Sequence, residues 1–154
     1  MSKSNALMLI LFIGLTLAGG SLIGFFSAPG PWYAALEKPP FNPPNWLFGP
    51  VWTVLYVLIG IAGARVWHNQ RASALPTIWF VQLGLNFAWP LVFFTARRPD
   101  LALPVLIAML LSIAAFIVLA WRRDRPSALM FVPYAFWVGF AGILNGAIWW
   151  LNRT

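Results

Sequence analysis

The chain has 154 residues, of which 61% are hydrophobic and only 8% charged, with a mean hydropathy of +0.79 and a formal net charge of +7. A soluble domain carries about 25% charged residues, so this composition excludes a water-soluble globular domain. Cysteine is absent, which excludes a disulfide framework, a thiolate metal site and a thiol nucleophile.

Five long apolar segments follow one another along the chain, at about residues 5–26, 46–67, 76–94, 101–121 and 128–151. Each approaches the ~20 residues that cross ~30 Å of hydrocarbon at ~1.5 Å per residue. The first is too long for the apolar core of a secretory signal, and "GFFSAPGP" offers no small-x-small cleavage site, so it reads as a retained helix. Between the first two segments lies a special connection, residues 28–45, containing most of "WYAALEKPPFNPPNW". The other connectors, "HNQRASA", "TARRPD" and "RRDRPS", are short. The expected fold is all-α, a polytopic membrane protein built as one domain, 1–154, of five transmembrane helices.

Orientation follows from the basic residues. Five crossings place Lys3, Arg65, Arg71, Arg122, Arg123 and Arg125 at the N-terminal end, and Lys38, Arg97, Arg98 and Arg153 at the other. The excess favours a cytoplasmic N-terminus and an external 28–45 loop. The net charge suits an anionic lipid surface. No basic stripe interleaves with aromatics on a soluble face, so nucleic acid is not an expected partner.

Acid–base and metal chemistry find little material. Glu37, Asp100 and Asp124 all fall in connectors, and the one histidine, His68, ends the second segment. No two share a helix face at ligand spacing, so no metal site, paired-carboxylate site or cofactor is expected. No acid falls in mid-membrane, which weighs against a proton-driven pump.

The polar and indole groups that do enter the bilayer converge instead. Trp52 and Tyr56 in the second segment, Asn86 and Trp89 in the third, and Ala141 and Asn145 in the fifth all lie toward the end that carries residues 28–45. Trp137 sits deeper. Gln82, Asn86, Trp89 and Phe93 repeat at three or four residues, one stripe of a helix. Pro90 has no N–H for the carbonyl of Asn86. Polar groups in hydrocarbon need partners, so these helices face one another. That stripe reads either as a ligand-facing wall or as an interhelical hydrogen-bond cluster with no ligand. Trp67, Trp121, Trp149 and Trp150 sit at segment ends, where aromatic belts lie.

Four ordered stretches, "WYAALEKPPFNPPNW", "GPVWTVLY", "QLGLNFAWPLVFF" and "PYAFWVGFAGILN", resemble the signatures of the TspO family. These are the tryptophan-rich sensory proteins, related to the animal translocator or peripheral benzodiazepine receptor. The resemblance covers about Trp32 to Asn145. It implies five transmembrane helices, commonly a homodimer, and a pocket beneath the long first loop. It also implies porphyrins such as protoporphyrin IX, sterols in some members, and drug-like apolar molecules as ligands. Carried over by position, the ligand-binding set is Trp32, Trp46, Trp52, Tyr56, Asn86 and Trp89, with Phe93, Tyr134, Trp137, Ala141 and Leu144. The loop then acts as a lid, stiffened by its prolines. Lys38, Arg97 and Arg98 share the lid side and could pair with porphyrin propionates.

Some bacterial members resemble photo-oxidative porphyrin-degrading proteins, with tryptophans matching Trp32 and Trp137 as the catalytic residues. Three classes therefore stay open: a receptor, sensor or transporter, a light- and oxygen-dependent enzyme, and a membrane scaffold. One family feature is missing. The proposed sterol motif needs a tyrosine and then a basic residue near the end of the fifth helix, and here the segment reads "ILNGAIWWLNR". The resemblance tips the expected dimer face toward Gly84 and Ala88 in the third helix, although Gly20 with Gly24 and Gly142 with Gly146 share the same small-xxx-small spacing. The expected location is a bacterial cell membrane.

Overall fold

The computed structural model describes residues 3–153. Its long helices are α1 (Lys3–Phe26), α3 (Asn45–Asn69), α4 (Leu75–Pro90), α5 (Pro99–Ala120) and α6 (Arg125–Leu151). A short helix, α2 (Pro31–Ala35), lies inside the first loop, and a π-helical turn (Leu91–Thr95) extends α4. Five helices, counting α4 with its turn, are long and apolar enough to cross a membrane. The protein is an all-α bundle of the polytopic membrane class. The helix ends fall within three residues of the expected segments.

The core lies between α3, α4, α5 and α6, around fully buried Ile59, Trp79, Phe116, Phe131 and Tyr134. Phe116 and Phe131 stack with ring centroids 4.0 Å apart, which fastens α5 to α6. The Trp79 indole N–H donates to the Ile59 carbonyl at 2.9 Å, so even this deep indole has its donor satisfied.

Helix α1 is peripheral, with only Thr16 and Gly20 buried. It docks on α3 through small groups. The Thr16 hydroxyl contacts the Tyr56 carbonyl at 2.7 Å, and a Cβ placed at Gly60 would approach the Ile13 backbone to 2.7 Å. At Gly20 a Cβ would run into the Tyr56 ring. The Gly20–Gly24 spacing is thus used, in part, inside the bundle.

Pro90 explains the wide turn after α4. Without its N–H the regular ladder is interrupted, and the Ala96 N–H reaches back to the Leu91 carbonyl at 2.8 Å. Arg97 then takes a left-handed φ of 56°, uncommon for a side chain with a Cβ. The Arg98 N–H closes the turn on the Val92 carbonyl at 3.1 Å.

At the N-terminal end of the bundle, an Arg65 guanidinium N–H donates to the Asp124 carboxylate at 2.6 Å, and Ser127 donates to the second carboxylate oxygen at 2.7 Å. Burial alone pushes the Asp124 carboxyl up, but these hydrogen bonds and the Arg65 charge outweigh it and hold the group below its usual range. The pair locks the end of α3 to the α5–α6 turn.

Candidate functional site

A cavity of about 420 Å³ opens between α1, α3 and α4 beneath the first loop. Its walls follow helical periodicity. Helix α3 contributes Asn45, Phe48, Gly49, Trp52, Thr53 and Tyr56 at intervals of three and four, one continuous face. From α4 come Asn86, Trp89 and Pro90, followed by Phe94 of the π turn. Helix α1 supplies Leu17, Gly20, Ser21 and Gly24, with Ile23 beside them and Ser27 just past its end. Pro29 and Tyr33 of the first loop close the top.

Four of the expected residues, Trp52, Tyr56, Asn86 and Trp89, therefore share this wall. The others lie elsewhere. Trp46 is 70% exposed and off the cavity, because it sits one residue, about 100° of helical rotation, from the Asn45 face. Phe93 is buried in a second cluster with Tyr33, Leu144 and Ile148, and Trp32 packs on it at 6.0 Å between centroids. Phe94, one residue on, takes the lining position instead. Ala141 is buried in the main core and Leu144 in the second cluster. Trp137 stands behind the wall, its ring 5.7 Å from that of Phe48. Its indole nitrogen is buried without a hydrogen-bond partner among the described residues.

The amide stripe proves to be a relay between helices. Tyr56 donates to Asn86 Oδ1 at 2.8 Å, Asn86 Nδ2 donates to the Tyr134 hydroxyl at 2.8 Å, and Tyr134 donates to Gln82 Oε1 at 2.8 Å. Gln82 Nε2 ends the chain on the Trp79 carbonyl at 2.8 Å. A second relay runs from the Trp89 indole N–H to Asn145 Oδ1 at 3.0 Å, and from Asn145 Nδ2 to the Pro99 carbonyl at 2.8 Å. The side-chain amides of Asn86 and Asn145 thus use both their donor and acceptor atoms within the protein. What the cavity offers a ligand is mainly flat and apolar: two indoles, two phenylalanines and the face of Tyr56, with few free polar groups.

The first loop is tied by hydrogen bonds to the end of α6 and braced within itself. Asn152, just past α6, accepts from the Glu37 N–H and donates to the Glu37 carbonyl, both at 2.9 Å. The Lys38 ammonium caps α2 by donating to the carbonyls of Tyr33 at 2.6 Å and Leu36 at 3.1 Å, and lies 4.6 Å from the Tyr33 ring centroid. Burial pushes the Tyr33 phenol up from its ordinary value. Arg98 pairs with Asp100 through two hydrogen bonds, at 2.9 and 2.6 Å. Two of the three cations expected to meet propionates are thus already engaged within the protein.

The α1 wall and helix α2 are absent from the sequence-based expectations. A signal for the first was present, since Leu17, Gly20, Ser21 and Gly24 recur at helical spacing. It carried no amide or indole to draw attention.

Five spanning helices, a cavity walled by indoles and a strapped first loop are the setting in which the comparisons with known proteins fall. The model of the TspO/MBR family matches residues 12–151. The chain belongs to that family. Among TspO/MBR relatives, the tryptophan-rich protein TspO of Archaeoglobus fulgidus is 43% identical over 96% of this chain and 99% of its own length. The tryptophan-rich sensory protein of Cereibacter sphaeroides is 36% identical over 79% of this chain and 77% of its own. The human translocator protein is 37% identical over 77% of this chain and 73% of its own. Membership in the TspO/MBR family together with five spanning helices makes this an integral membrane protein.

Proposed function

We propose that this protein is a membrane receptor or carrier for flat, largely apolar molecules, porphyrins such as protoporphyrin IX foremost, held in the cavity between α1, α3 and α4. The observation that carries the reading is the wall itself. Trp52, Tyr56 and Trp89 line one space of about 420 Å³, within the size range of small-molecule sites. The Tyr56 hydroxyl and Trp89 indole N–H are satisfied by Asn86 and Asn145, so those rings present π-faces and bury apolar area rather than demand polar partners. Relatives named as sensory and translocator proteins fit this reading.

Light-driven porphyrin degradation by Trp32 and Trp137 is the second reading. It draws on the unpartnered Trp137 indole N–H, yet neither tryptophan lines the cavity. The test is a protoporphyrin IX titration in lipid nanodiscs, kept dark and read by porphyrin fluorescence. Trp52→Ala should weaken binding on the order of tenfold, as loss of one aromatic face implies, while Trp121→Ala at the far end should not. Equal effects would remove the cavity from consideration. Illumination that yields a bilin-like absorbance, lost in Trp137→Phe, would favour the enzyme.

We also infer a homodimer through α4, a bacterial cell membrane as the location, and one structural domain for the whole chain. The dimer face rests on Gly84, which is exposed and has open space where a Cβ would sit.

A further inference from the structure

The two ends of the bundle use their cations differently. At the strapped end Lys38, Arg98 and Arg153 are engaged, on carbonyls, on Asp100 and on the Trp150 ring 3.0 Å away. At the other end Lys3, Arg65, Arg71, Arg122, Arg123 and Arg125 face a single carboxylate, Asp124, which is buried and bound to Arg65. Arg71 and Arg125 lie over the rings of Trp67 and Trp121, at 4.7 and 5.0 Å, and keep their charge. Arg122 and Arg123 are exposed and have neither a carboxylate nor a ring partner among the described residues.

A groove of about 580 Å³ lies at this end, between the α3–α4 and α5–α6 turns. Asn69 and Arg123 give it amide and guanidinium groups, the Ser73 hydroxyl and Gln70 amide are turned onto the Gln70 and Arg123 carbonyls, and Leu119 gives it an apolar wall. We propose that this groove binds the headgroup of an anionic phospholipid. Guanidinium and amide donors match the two free oxygens of a phosphodiester. Leu119, on the membrane-spanning part of α5, receives the start of an acyl chain. Trp67 and Trp121, each at a helix end with an arginine over its ring, mark the depth at which headgroups lie. No free carboxylate competes for the arginines among the described residues of this end. A zwitterionic headgroup brings its own cation into this surplus of positive charge, so the groove discriminates for net negative charge.

Native mass spectrometry of the full chain, released from vesicles of equal phosphatidylglycerol and phosphatidylcholine, tests this. The wild type should retain phosphatidylglycerol preferentially. The double variant Arg122→Gln/Arg123→Gln should lose that retention by about tenfold or more, given two removed charges. The pair Arg97→Gln/Arg153→Gln, at the opposite end, should not. Ala72→Glu, which puts a carboxylate into the groove and leaves every arginine in place, should reproduce the loss. Equal losses from both arginine pairs would mean diffuse charge and no site. Unchanged retention in Ala72→Glu would remove the groove. Displacement of the lipid by millimolar inorganic phosphate would show a phosphate site rather than a lipid site.

Discussion

The Tyr134 hydroxyl is the smallest unit on which the bundle depends. It accepts from Asn86 and donates to Gln82, so one oxygen ties α6 to two turns of α4. All three groups are buried, and Tyr134 and Gln82 lie off the cavity, so a partner lost there is not replaced by lipid. Tyr134→Phe would strand the Asn86 donor and the Gln82 acceptor, and such stranding costs about 1–3 kcal/mol per group. Tyr56→Phe removes only the outermost donor of the same relay, beside the cavity, and strands one acceptor. Thermal unfolding in a fixed lipid should therefore place Tyr134→Phe several degrees below Tyr56→Phe. If the two variants melt together, the relay is not a cooperative brace. The same residues show why a polar stripe is a poor guide to a ligand. Asn86 lines the cavity, yet its side-chain amide is already committed to Tyr56 and Tyr134.

At the scale of elements, the first loop is held by a side-chain amide acting as a backbone. Asn152 pairs with both the N–H and the carbonyl of Glu37, much as a neighbouring strand would. The rest of the loop leans on ring edges: Tyr33 on Phe94 at 5.3 Å and Phe41 on Phe140 at 6.4 Å. Those ring contacts are non-directional enough to slide, whereas the two-point amide pairing fixes position along the chain. Asn152→Ala should then loosen the loop without disturbing the bundle. Hydrogen exchange at the Glu37 amide should accelerate by about an order of magnitude, the equivalent of roughly 1.4 kcal/mol. Ligand dissociation should quicken alongside it, with helical circular dichroism unchanged. Unaltered exchange at Glu37 would mean the aromatic contacts alone hold the loop. An accelerated exchange with an unchanged ligand off-rate would separate the strap from the cavity.

For the molecule as a whole, the five spanning helices were legible because apolar length is a local property of sequence. The side of each helix was legible only where a rare polar or indole group marked it. Trp52, Tyr56, Asn86 and Trp89, marked in that way, share one cavity wall. Trp46 lies off the cavity wall, and its one-residue offset from the Asn45, Phe48, Gly49 face was countable in the sequence. Helix α2 and the π turn were not read, since one is a five-residue helix in a proline-rich loop and the other depends on where Pro90 breaks the ladder. Small residues were the most ambiguous signal. Three pairs had the same spacing, and packing sets only Gly20 apart from the rest.

That packing frames the test of assembly. Gly20 is packed against the Tyr56 ring, where a Cβ would clash, whereas Gly24 and Gly142 have open space and a Cβ at Gly146 would make only an ordinary 3.9 Å contact with Leu103. Gly84 is exposed with open space around it, and Ala88, one turn on, is half-buried on α4. Gly84 also lies about 200° around the helix from Asn86, two residues at ~100° each, so a partner there would not reach the cavity. Gly84→Leu should shift the protein toward monomer in lipid and leave protoporphyrin binding intact. Gly20→Leu should do the reverse, damaging binding by displacing Tyr56 while subunits still associate. Single-molecule photobleaching in nanodiscs, paired with the porphyrin titration, reads both quantities on each variant. A dimer that survives Gly84→Leu but dissociates in Gly142→Leu would move the interface from α4 to α6.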